Sequence, residues 1–186
     1  MSEVEFKAFT KIPRLNREMV VTEKLDGTNA CVVITEDGGV LAQSRNQFIT
    51  PSQDNYGFAK WVWNYQESLK EILGVGYHYG EWWGSGIQRR YELTGDDKRF
   101  WLFNVGRWAD ADFSDVPQLG VVPTLYTGPF STEKVANLIN GLKENGSVAS
   151  PGFMNPEGVV VWHVAAQKLF KVTVINDDKP KGSTEK

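Results

Sequence analysis

Glu23-Lys24-Leu25-Asp26-Gly27-Thr28-Asn29, directly after the apolar run Met19-Val20-Val21, frames one lysine with two carboxylates at a tight, glycine-containing turn. Val20 to Thr22 before it and Ala30 to Thr35 after it read as strands, so the turn lies within sheet. A lysine placed in this way reads as a nucleophile. An unperturbed lysine amine has a pKa of about 10.4, is protonated at neutral pH, and attacks nothing until its surroundings favour the free base. The remainder of the chain must supply those surroundings.

Three segments downstream are suited to do so. Tyr79-Gly80-Glu81-Trp82-Trp83-Gly84 sets a carboxylate between glycines, and Trp101-Leu102-Phe103-Asn104-Val105 is an aromatic strand. Glu157-Gly158-Val159-Val160-Val161 then leads into Gln167-Lys168-Leu169-Phe170-Lys171-Val172. With these residues in this order, the chain resembles the covalent nucleotidyltransferase superfamily of polynucleotide ligases and mRNA capping enzymes. Lys24 to Asn29 and Gly80-Glu81-Trp82-Trp83-Gly84-Ser85-Gly86-Ile87-Gln88 are most similar to the second type of phage RNA ligase, and the likeness runs from about Val20 to about Thr173. Lys-x-Asp-Gly alone recurs by chance; the ordered set is specific.

The resemblance implies an adenylation-domain fold, two mainly antiparallel sheets with flanking helices around an ATP pocket, and an ATP-dependent RNA ligase. Lys24 would attack the α-phosphorus of ATP, pass AMP to a 5′-phosphate end, and leave a 3′-hydroxyl to seal the phosphodiester. Lowering the lysine pKa by about three units would cost roughly 4 kcal/mol, with nearby cations and a bound Mg2+ or Mn2+ as the source. Lys168 and Lys171 are the implied cations, which would also neutralise charge growing on the phosphate. The family usually spaces these two lysines by one residue, whereas here they are three apart and face opposite sides of a regular strand. Lys171 is therefore favoured for the phosphate, with Thr173 at the other family position. Further roles implied are Glu157 as metal ligand, Asp26 in metal binding or orientation, Glu81 on the ribose hydroxyls and Glu23 on the adenine amino group. Phe103 would stack on the purine, while Asn29 and Arg45 would grip the nucleotide or the 5′-phosphate. Arg89, Arg90, Lys98, Arg99 and Arg107 are candidates for a strand-binding surface, with Trp82 or Trp83 for base stacking. Asp26 matches the DNA ligases rather than some of the phage RNA ligases, so an ATP-dependent DNA ligase, a capping-type nucleotidyltransferase and a non-catalytic nucleic-acid-binding module stay open as alternatives.

Composition bounds the rest. A chain of 186 residues, 41% apolar and 12% aromatic, suits one domain with a sizeable core. We assign residues 1–176 to an adenylyltransferase domain and 177–186 to a mobile polar tail, with no C-terminal accessory domain and hence a possible need for a partner subunit at RNA ends. A formal net charge of −3 gives no overall field for a polynucleotide, so any grip must be local. Cys31, alone, excludes an internal disulfide and a multi-cysteine zinc site. No apolar run approaches a membrane span and no signal peptide is evident, so a cytoplasmic protein is expected, and the resemblance suggests phage origin. Helices are expected over Asp54 to Leu73, with Trp61, Tyr65, Leu69 and Leu73 on one face, and over Ser131 to Asn145. Strands are expected over Val40 to Ser44, Tyr77 to Glu81, Arg99 to Val105, Gly158 to His163 and Lys168 to Ile175, giving an α+β chain.

Overall fold

The computed structural model describes residues 4–175 and 177, so the tail assigned to 177–186 lies, beyond its first residue, outside the described residues. Two sheets carry the fold. The first has strand order β10-β9-β1-β8, from β1 (Glu18–Lys24), β8 (Thr124–Pro129), β9 (Gly158–His163) and β10 (Lys168–Thr173). The second runs β4-β3-β2-β5-β6-β7, from β2 (Thr28–Ile34), β3 (Val40–Ser44), β4 (Phe48–Ile49), β5 (Gly76–Gly84), β6 (Lys98–Leu102) and β7 (Leu119–Val121). Every pairing is antiparallel except β6 with β7.

Alternation along each strand sends one face to a helix-covered core. Ala30, Val32 and Ile34 of β2 join Phe100 and Leu102 of β6 against Phe58, Trp61, Leu69 and Leu73 of the helices α1 (Phe58–Asn64) and α2 (Gln66–Leu73). Met19, Val21, Val159 and Val161 of the first sheet pack on Val135, Ile139 and Leu142 of α3 (Thr132–Asn145). Ser131 caps α3 by accepting from Lys134 N, and Gly146 ends it. A third cluster, Leu25, Trp83, Tyr91, Val122, Ala149 and Phe153, fills the junction where the chain passes from β1 to β2.

The single helix expected from Asp54 to Leu73 is two. Asp54 accepts from the backbone N–H groups of Asn55, Ala59 and Lys60, and Tyr56 and Gly57 turn left-handed, so the helix starts only at Phe58. Tyr65 (φ −109°, ψ 15°) then bends the axis while Tyr65 N→Trp61 O and Leu69 N→Tyr65 O persist, which keeps the apolar stripe on the sheet. Strands β7 and β8, which the periodicity missed, lie in a Pro- and Gly-punctuated stretch; β8 is an edge strand, where proline costs no ladder bond. The strand expected over Arg99 to Val105 starts one residue earlier and stops at Leu102.

Candidate active site

The lysine turn is the crossing between the sheets. Lys24 ends β1 and Thr28 opens β2, and the residues between them pass under β5. A Cβ on Gly27 would lie 2.3 Å from Trp82 O and 2.8 Å from Trp83 Cβ, so glycine alone fits this passage. Glu81, from β5, closes the turn: Oε1 accepts from Gly27 N at 3.0 Å and Oε2 from Asn29 Nδ2 at 3.2 Å. Asp26 N–H donates to Tyr91 Oη at 2.8 Å, and Asp26 Oδ2 pairs with Arg89 Nε at 2.9 Å. Arg89 Nη1 in turn donates to Asn155 O and Oδ1, which ties the turn to the segment that delivers Glu157.

Lys24 Nζ meets Glu157 Oε2 at 2.6 Å, with Glu157 nearly buried. The register decides which motif lysine shares this side. Lys24 pairs with Gly158, which pairs with Thr173; Thr22 pairs with Val160, which pairs with Lys171. Cross-strand partners share a face, so Lys171 and Thr173 lie on the face of Lys24, and Lys168, in register with His163 and Met19, lies on the other. Asn29, Arg45 and Phe103 line one pocket of about 200 Å³ with Cys31, Gln43 and Tyr79. A larger hollow of about 400 Å³ sits at the β6–β7 edge among Asp97, Arg99, Trp101 and Gln118; it holds none of the residues expected to bind the nucleotide and, of the expected strand-binding cations, Arg99. The smaller pocket adjoins the lysine turn through Asn29, whose Nδ2 donates to Glu81.

A family model for RNA ligases matches residues 17–173. The chain belongs to the RNA ligase family. Its fold is similar to solved structures of a Naegleria gruberi RNA ligase, including a mutant with ATP and manganese at TM-score 0.65 and 18% identity, covering 87% of this chain and 51% of that one. Another mutant of that ligase, with AMP and manganese, gives TM-score 0.59 at 18% identity, covering 86% and 50%. An archaeal ATP-dependent RNA ligase gives 0.56 at 19%, covering 90% and 48%. The chain thus spans about half the length of these ligases.

Two expectations for this RNA ligase family member are corrected. Glu23 does not face the cleft. As the strand neighbour of Lys24 it points to the opposite side, is 1% exposed, and accepts from Ser147 Oγ at 2.6 Å and from the N–H groups of Val148 and Ala149 at 2.9 Å. It anchors a loop rather than a base, and burial raises its carboxyl above the usual range against those hydrogen bonds. Trp82 and Trp83, at 3% and 0% exposure, are core residues without a face for a nucleobase. Several of the cations assigned to strand binding are committed internally: Arg89 to Asp26, Arg99 to Asp97 and the Trp83 ring, and Arg107 to Leu73 O and the Trp108 ring.

Sequence reasoning missed a buried network. Ser150 N donates to Ser147 Oγ and Ser150 Oγ to Tyr91 O, so the residues bonded to Glu23 also reach the tyrosine that holds Asp26. Both shoulders of Lys24 are fixed by one set of hydrogen bonds. Gln88, Arg90, Tyr91 and Glu92 all adopt positive φ between 43° and 61°, a concentration of backbone strain beside the lysine turn.

Burial pushes the Glu81 carboxyl up to about 7, opposed by the Gly27 N–H and Lys24 and reinforced by Glu157 and Asp26. The folded protein thus keeps this proton up to about pH 7, whereas the unfolded chain releases it near 4.5. Stability is therefore fully present below about 4.5 on this account and is lost as pH rises through about 7. Denaturant titrations from pH 5 to 8 should show that decline, and Glu81→Gln, which cannot ionise, should flatten it.

Proposed function

We propose that this chain is the adenylyltransferase domain of an ATP-dependent RNA ligase, formed by residues 1–176, with Lys24 as the nucleophile. The observation that carries the reading is Lys24 at the sheet junction, held at 2.6 Å by Glu157 and sharing its face with Lys171, in a member of the RNA ligase family. Lys24 Nζ, after giving one ammonium proton to Glu157 Oε2 or water, would bond to the α-phosphorus of ATP as the bond to the pyrophosphate oxygen breaks, and would lose a second proton to water to leave the phosphoramidate. Lys171 would oppose charge growing on the phosphate. Phe103, 42% exposed beside Asn29 and Arg45, would carry the purine face. Glu81, when ionised, keeps lone pairs beyond those taken by Gly27 and Asn29 and would accept from the ribose while it holds the turn.

A divalent cation fits this donor set only in part. Among the described residues, no group of three or more His, Cys, Asp or Glu could hold a metal ion. Mg2+ and Mn2+ sites of few carboxylates rely on waters and substrate phosphates, and Glu157 would be the protein ligand in such a site. The metal would supply charge neutralisation at the phosphates. Solved relatives carrying ATP or AMP with manganese support both assignments.

AMP would then pass to a 5′-phosphate, and a 3′-hydroxyl would displace it. No helix of the described residues is long and apolar enough to cross a membrane. The test is single-turnover transfer from the adenylylated protein to 5′-phosphorylated RNA or DNA of one sequence. We expect adenylylated RNA; transfer to DNA in preference would replace this reading with a DNA ligase.

A further inference from the structure

With Arg89, Arg99 and Arg107 committed internally, the N-terminal segment stands out among the described residues for its run of exposed, unpaired cations. Residues 4–17 contain Lys7, Lys11, Arg14 and Arg17 against one carboxylate, Glu5. The chain as a whole has formal net charge −3, so the other residues, with sixteen cations and twenty-two carboxylates, carry −6. All four cations are exposed, and none belongs to an ion pair among the described residues. Apolar residues interleave with them, and these too are unburied: Phe6 is 89% and Ile12 92% exposed, and Phe9 is fully so. The segment precedes β1 without helix or strand, and the family match begins only at residue 17.

Its root is fixed in a definite place. The Leu15 carbonyl accepts from His163 Nε2 at 2.8 Å, and the Arg17 carbonyl from Phe130 N at 2.7 Å. That point is the far end of the strand that Lys24 closes, six residue steps or roughly 20 Å away. Along the face between them the register sets Lys24 with Thr173, then Thr22 with Lys171, then Val20 with Trp162 and the exposed Leu169. His163 shares the opposite face with Met19 and Lys168, so the root sits at the rim of the sheet, and fourteen residues, which reach at most roughly 45 Å when extended, can cover the roughly 20 Å back to an end held at Lys171.

We propose that residues 4–17 form an arm that binds single-stranded RNA leading away from the reactive end. Its spaced cations take successive phosphates, and Phe6 and Phe9 offer rings to bases, the pairing of charge and stacking by which proteins hold single strands without reading sequence. A polyanion is the occupant that charge favours, because residues 4–17 set four exposed cations against one carboxylate. This rests on the RNA ligase reading, and the experiment keeps the two apart.

Binding of a short, 5′-phosphorylated, single-stranded RNA would be followed by fluorescence anisotropy across a salt series, for the parent, for Lys7→Ala/Lys11→Ala/Arg14→Ala and for Phe6→Ala/Phe9→Ala. Lysyl-AMP formation, which needs no RNA, would be measured on the same preparations. We expect about tenfold or greater weakening in both variants and, in the triple variant, a salt slope shallower by about 2, at ~0.7 per lost phosphate contact. Lysyl-AMP formation should stay at the parent rate. RNA binding equal to the parent in both variants overturns the arm, as does a parent that adenylylates itself but binds no RNA. Gel filtration showing that the phenylalanines hold two copies together, with RNA affinity unchanged, overturns it in favour of self-association. Absence of lysyl-AMP in every preparation would instead remove the ligase reading.

Discussion

Gly27→Ala is expected to lower the free energy of unfolding by about 3 kcal/mol or more and to slow lysyl-AMP formation by at least about a hundredfold. The new methyl would lie 2.3 Å from Trp82 O and 2.8 Å from Trp83 Cβ. Neither neighbour can yield easily, because both belong to β5, which is paired with β2 on one side and β6 on the other and carries two buried tryptophans. The turn must move instead. That movement would pull Gly27 N from Glu81 and Asp26 N from Tyr91, and shift Lys24 against Glu157. Misplacing a reacting group by about 1 Å costs on the order of a hundredfold. Gly141→Ala is the matched control: it lies within α3, nothing stands within 4 Å of its added Cβ, and alanine should stabilise the helix by roughly 0.5–1 kcal/mol. Denaturant unfolding of the two variants beside the parent measures the difference, and a Gly27→Ala protein as stable as the parent would show that the turn is not wedged beneath β5.

Lys171→Ala should slow lysyl-AMP formation by about 10²–10³-fold, the usual cost of deleting one preorganised group that opposes transition-state charge. Lys168→Ala should remain near the parent. The two lysines lie on one exposed edge strand, so neither substitution should move the melting temperature appreciably, and their contrast isolates orientation from charge. Lys171 shares a face with Thr22 and Lys24, and Lys168 shares one with Met19 and His163. Equal defects in single-turnover rate would mean that the cation acts through general field rather than position, and a larger defect in Lys168→Ala would reverse the assignment.

The legible parts of this protein were those written in local order. Lys24 and its glycine turn announce themselves, and β9 falls at its expected limits, because apolar β-branched runs bounded by glycine and polar residues have one reading. That Lys168 and Lys171 take opposite faces needed only strand alternation. The same alternation, applied to Glu23 and Lys24, shows that adjacent strand residues cannot both face one cleft, against the role that the resemblance implies for Glu23. Trp82 and Trp83 differ for another reason: the C-terminal half of β5, residues 80–84, is covered on both faces, so an aromatic pair that reads as available for bases is core on each side. The network of Tyr91, Ser147 and Ser150 had no sequence signal. Ser150 lies 59 residues from Tyr91, Tyr91 65 from Asp26 and Ser147 124 from Glu23, and serines and a tyrosine at such separations have no spacing to recognise. Arg89 reads in the sequence as a cation for RNA, yet it pairs with Asp26, 63 residues earlier.

Intact-mass measurement under denaturing conditions, after incubation with ATP and Mg2+, tests the central claim most directly. The account predicts a gain of one AMP, mapped by peptide fragmentation to Lys24 and lost in Lys24→Ala, in protein shown beforehand to be free of nucleotide. An unmodified mass with ATP, or an adduct that persists in Lys24→Ala, would contradict it.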